Sequence, residues 1–104
     1  MRMVPKDRQP TPPGEMLNEE FVKPLGLTQG ELAARLGISR GAVNAIINGK
    51  RSITTDTAMR LGKAFGTTPE FWINGQISLD LYRAEHDAKQ IQVVALIAPF
   101  KPPE

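Results

Sequence analysis

Arg40 and Asn44 stand one helical turn apart, with Ser39, Gly41 and Ala45 beside them. A guanidinium can donate two parallel hydrogen bonds to guanine, and a carboxamide can both donate to adenine and accept from it. Serine adds a hydroxyl, and alanine a methyl that can meet thymine. On one exposed helix face, Ser39, Arg40, Gly41, Asn44 and Ala45 are therefore candidates for reading base edges in double-stranded DNA. Gly41 has no side chain to read with and costs about 1 kcal/mol relative to alanine inside a helix. What glycine offers there is close approach of a DNA backbone. Thr28 and Gln29, at the start of the preceding helix, are candidate phosphate contacts, aided by the amides of a helix N-terminus. Lys50 and Arg51 follow the reading helix and would meet phosphate as point charges.

Other chemistry is poorly served. The chain has no cysteine, which excludes a thiolate zinc site, a disulfide framework and a cysteine nucleophile, and suits a reducing cytoplasm. His86 is the only histidine and lies in the polar stretch 83–90. Glu19 and Glu20 are adjacent, so on a helix they splay about 100° apart instead of converging. No glycine-rich phosphate loop and no metal-ligand spacing occurs. No enzyme activity, cofactor or metal is expected.

The reading residues need a helix pair to carry them. Thr28-Gln29-Gly30-Glu31 is a capping box that starts one helix, with Leu32, Ala33 and Leu36 on its inner face. Gly37 ends it in the left-handed region. Ser39 caps the next helix two residues later, and that helix turns Ala42, Val43, Ile46 and Ile47 inward before Asn48-Gly49. Two short helices around a tight turn let the first brace on phosphates while the second enters a major groove about 12 Å wide. Pro13-Gly14-Glu15 opens an earlier helix that stops before Pro24. A later one starts at Thr54 or Thr55 and ends at Gly66, burying Ala58, Leu61 and Phe65. A fifth starts at Thr68-Pro69-Glu70 and fades between Arg83 and Asp87. Ile91 to Ala98 is β-prone and reads as a strand or extended arm.

The expected architecture is all-α, a five-helix bundle with a short C-terminal strand or arm. Residues 1–12, rich in proline, are expected to be a flexible lead-in; 13–88 form the domain, and 89–104 the arm. The chain has 104 residues, 40% hydrophobic and 23% charged, with a net charge of +2. That suits a single globular domain. Its longest run without charge or amide side chains, 93–100, is far short of the roughly 20 residues that span a bilayer, so no membrane segment is expected. The charge is uneven. Residues 28–66 hold six basic side chains against two acidic ones, whereas residues 67–104 hold three against five. A basic middle with an acidic end suits a polyanion on one face.

The fifth helix and the last run carry more apolar residues than one core face requires. Trp72, Ile77, Leu81, Tyr82, Val93 and Leu96 are therefore candidates for a homodimer or partner interface. A two-fold dimer would also place two reading helices on adjacent half-sites.

Leu27-Thr28-Gln29-Gly30-Glu31-Leu32-Ala33, Gly37-Ile38-Ser39 and Asn48-Gly49-Lys50-Arg51 resemble the Cro/repressor-like (XRE) helix-turn-helix family. More narrowly, Pro13 to Leu17, Phe21 to Leu27, Ile53 to Ala58 and Phe65 to Trp72 resemble the HigA-type antitoxins, which include the virulence-associated protein I group. The resemblance covers about residues 12–83 and implies a five-helix DNA-binding fold, a homodimer and repression of its own operon at a palindromic operator. It also implies neutralisation of a HigB-type ribonuclease toxin. The alternatives are a stand-alone regulator of the same family without a toxin, or a protein-interaction module that binds little DNA.

Overall fold

The computed structural model describes residues 8–102, and every regular element among them is helical. The first helix, α1 (Pro13–Leu17), has proline in its first turn, where the missing amide costs nothing. It runs directly into a π-helical turn, Asn18–Val22, whose wider bonds include Lys23 N–H to the Asn18 carbonyl at 2.9 Å. Gly14 allows this segment to cross the end of the helix that carries Ile46 and Ile47. A Cβ there would lie 1.8 Å from the Ile46 carbonyl oxygen.

Helix α2 (Gln29–Leu36) begins with the capping box and ends at Gly37, whose φ of 70° is left-handed. A second device closes the same end. Arg60, from a later helix, donates to the Leu36 carbonyl at 2.7 Å and to the Asp56 carboxylate at 2.9 Å. Helix α3 (Arg40–Ile47) is capped by Ser39, and α4 (Thr55–Phe65) by Thr54. Gly62 brings α4 against the start of the next helix, where a Cβ would be 2.9 Å from the Thr67 carbonyl oxygen. Helix α5 (Pro69–Glu85) is capped by Thr68 and is the longest.

The core gathers Leu17, Leu32, Val43, Leu61 and Trp72, all fully buried. This corrects the interface expectation for Trp72, which is 1% exposed. Its ring packs 5.3 Å from Phe21 and 5.0 Å from Phe71, and its indole N–H donates to the Thr67 hydroxyl at 2.8 Å. A large ring with its one polar atom satisfied is most stable inside.

The C-terminal run is also corrected. Ile91 to Ala95 of the expected strand lie in a further helix, α6 (Ala88–Ala95), while residues 96–102 form no helix; the described residues thus hold six α-helices and remain all-α. Asp87 caps it, accepting from the amides of Lys89 at 2.9 Å and Gln90 at 3.3 Å. A lone strand has no neighbour for its backbone groups, whereas a helix pairs them internally. The β-branched residues cost the helix only tenths of a kcal/mol each, about what the cap returns. None of α6 is buried. The expected flexible lead-in falls partly on residues 1–7, which lie outside the described residues; residues 8–12 form no regular element.

Candidate nucleic-acid interface

Helix α3 divides cleanly by burial. Ala42, Val43 and Ile46 are buried against α1 and α2, while Arg40, Gly41 and Asn44 are exposed and Ala45 and Ile47 are half-buried. Ser39 is exposed, and its hydroxyl oxygen accepts from the Ala42 amide at 3.0 Å, which leaves its proton and a second lone pair for an outside partner. Nothing inside the protein requires Gly41 to be glycine: the nearest atom to an added Cβ is the Ser39 hydroxyl at 4.0 Å.

Thr28 is more committed than its position suggested. Its hydroxyl accepts from the Glu31 amide, and its own amide donates to the Glu31 carboxylate, both at 3.0 Å. That backbone hydrogen bond first, then the one to the Thr28 side chain, holds the Glu31 carboxyl below its ordinary range. The Thr28 N–H is thus used up, and a carboxylate already sits at this helix start.

Gln29 does more than reach outward. Its side-chain oxygen accepts from Asn44 Nδ2 at 3.1 Å, tying the start of α2 to the exposed face of α3. Asn44 Oδ1 in turn accepts from Asn48 Nδ2 at 3.2 Å. Asn48 was read from the sequence only as a helix stop. Its four-residue spacing from Asn44 was the available signal, since side chains at that spacing meet on a helix.

Lys50 and Arg51 follow α3 on a tight turn in which both their amides donate to the Ala45 carbonyl. Both are exposed. Arg51 lies along an open hollow shared with Ser39, Ala42 and Thr54, between the starts of α3 and α4. Ile53, two residues beyond Arg51, is held from beneath by Gln76. This buried α5 side chain accepts from the Ile53 amide at 2.9 Å and donates to Asp80 at 2.9 Å. Nothing in the sequence singled Gln76 out, because its partner lies 23 residues away.

The basic third of the chain does not form one patch. Arg40, Lys50 and Arg51 border α3, but Arg35, Arg60 and Lys63 line a separate groove between α2 and α4 together with Asp56 and Met59. Of the interface candidates, Ile77, Leu81, Val93 and Leu96 are exposed. Tyr82 is half-buried and stacks on His86 at 4.0 Å between ring centres. No helix among the described residues is long and apolar enough to cross a membrane. Those residues hold no cluster of His, Asp or Glu suited to a metal.

Comparison with known proteins agrees with this geometry. A family model described as helix-turn-helix matches residues 19–80. An uncharacterised helix-turn-helix transcriptional regulator of Haemophilus influenzae is 42% identical over 92 residues, covering 88% of this chain and 86% of the relative. Antitoxin HigA-1 of Vibrio cholerae is 40% identical over 89 residues, covering 82% of this chain and 84% of the relative. Among solved structures, the Pseudomonas aeruginosa antitoxin HigA with the higBA promoter superposes with a TM-score of 0.81 at 35% identity. That match covers 89% of this chain and all of the other.

Proposed function

The chain belongs to the helix-turn-helix family, and on that footing we propose that it is a dimeric, sequence-specific repressor and the antitoxin of a HigA-type pair. The observation that carries the reading is the exposed face of α3, where Arg40 and Asn44 project above an apolar underside packed on α1 and α2. Arg40 reads guanine and Asn44 adenine; Ala45 offers its methyl, and Ser39 its hydroxyl. The Gln29 amino group, Lys50 and Arg51 bind phosphates and set the register, while Thr28 serves the capping box with Glu31. Gly41, free of any internal packing demand, lets the sugar–phosphate backbone approach α3.

Two copies join through the exposed side chains of α5 and α6, Ile77, Leu81, Val93 and Leu96, with Tyr82 at their edge. Their reading helices then meet half-sites of a palindromic operator about one DNA turn apart, roughly 34–36 Å. The antitoxin role is supported by the HigA relatives. The protein acts in the cytoplasm, has no catalytic step, and takes a HigB-type toxin as its second partner.

Mobility shift with the DNA upstream of its own gene tests the repressor reading. Arg40→Ala should cost about 1–3 kcal/mol of operator binding, a loss of roughly 5- to 150-fold, and relax preference at one base pair. Affinity should fall steeply with salt as phosphate counterions are released. Equal binding to scrambled DNA, unaffected by the substitution, refutes base reading. Co-expression with the small open reading frame beside its gene tests the toxin partner. A product that neither co-purifies nor arrests growth when expressed alone removes that half of the proposal.

A further inference from the structure

On the reading that α3 faces base edges, we infer that Asn48 fixes which way round the Asn44 carboxamide is presented, and so sets the base preference at one operator position. A carboxamide has a donor end and an acceptor end of nearly equal size, so its orientation must come from its neighbours. Here one neighbour is unambiguous. Asn48 sits 2.9 Å from the Asn44 main-chain carbonyl, which can only accept, so Asn48 must turn its amino group there. The same amino group has a second hydrogen and lies 3.2 Å from the Asn44 side-chain atom facing it. That atom must therefore be the Asn44 oxygen.

The consequence runs on to α2. With its oxygen toward Asn48, Asn44 turns its amino group toward Gln29, which must present its own oxygen at 3.1 Å. The main-chain carbonyl thus orients three amides in series. Asn44 is left with one free hydrogen and one free lone pair, pointing in fixed order out of the exposed face. That is the donor-and-acceptor set adenine requires, and reversing it would offer a donor where the base also donates. Gln29 is left with its amino group free, a donor suited to a phosphate oxygen. Asn48 acts through Asn44 and touches no base in this account; it is a positioning residue.

The test is competition binding of the full-length chain to a panel of duplexes in which each operator position is varied in turn. Asn44→Ala first identifies the position whose preference Asn44 supplies. Asn48→Asp keeps the size of the side chain but replaces the donor with an acceptor; Asn48→Ala removes the donor without adding charge. Both should reduce discrimination at the Asn44 position about fivefold or more, the lower end of what one good side-chain-to-base pair supplies. Discrimination at the position lost in Arg40→Ala should stay within twofold, as should the salt dependence of Asn48→Ala. A merely structural role would weaken all positions together. Full discrimination in both Asn48 variants, with Asn44→Ala still losing it, overturns this inference alone. If Asn44→Ala changes no position, the base-reading proposal falls and this inference with it.

Discussion

Replacing Gln76 with methionine should destabilise the fold by about 2 kcal/mol, with almost no change in side-chain volume. Gln76 Oε1 accepts the Ile53 N–H at 2.9 Å, and Ile53 is only 4% exposed. Methionine offers no comparable acceptor, and a buried donor left unpaired costs about 1–3 kcal/mol. The second bond of Gln76, to Asp80, adds little to the loss because Asp80 is exposed and water replaces the amide. Methionine matches glutamine in length, so no cavity term enters. For a domain of this size 1 kcal/mol shifts Tm by about 4–8 °C, so the expected fall is about 8–16 °C. Circular dichroism melts at one fixed protein concentration measure it, because any self-association makes Tm concentration-dependent. Asp80→Ala is the control and should stay within about 0.5 kcal/mol. A Gln76→Met melt within about 2 °C of the parent would refute the reasoning, because the Ile53 amide would then have another adequate partner. Operator binding should weaken as well, since Arg51 lies two residues before the Ile53 that Gln76 holds.

The same glycine-to-alanine change should have opposite signs at two positions. Gly14→Ala drives a methyl group into the Ile46 carbonyl, and overpacking against backbone should cost about 3 kcal/mol or more in urea denaturation. Gly41→Ala has open space and should stabilise by about 0.4–1 kcal/mol while weakening operator binding, because it obstructs the approach of DNA. The capping box makes stability pH-dependent in acid. Glu31 has its folded-state pKa lowered below the ordinary 4.5, so its contribution is complete above that value and disappears as pH falls through the lowered one. Titration followed by carboxyl NMR should place the Glu31 midpoint below 4.5, and Glu31→Gln should flatten the acid side of the stability profile. A midpoint at the ordinary value would mean the box is open in solution.

How much of this was legible in the sequence follows from the range of the interactions involved. Thr28, Ser39, Thr54 and Thr68 each accept from an amide three residues on. A bond that closes within one turn can be read from neighbouring letters. The exposed face of α3 was legible for the same reason, since a period of 3.6 residues separates inward from outward positions once the caps are placed. Even the correction at α6 turned on a local cap, Asp87, offsetting the β preference of Ile91, Val93 and Val94.

What the tertiary structure alone decided lies at longer range. Arg60 joins Leu36 across 24 residues, Gln76 joins Ile53 across 23, and Gln29 joins Asn44 across 15. No pattern of residue types announces such pairs, because each depends on how whole helices are set against one another. The same holds for the apolar surplus of α5. Trp72, Ile77 and Leu81 carry similar hydrophobic character, yet only the direction in which α4 and the π-helical turn approach placed Trp72 in the core and left the other two exposed. The charge count shows the division most plainly. The sequence by itself determined that the middle third is basic. The fold sent half of those charges to α3 and the other half to a groove between α2 and α4, because a side chain's direction is set by the packing of its helix and not by its place in the chain.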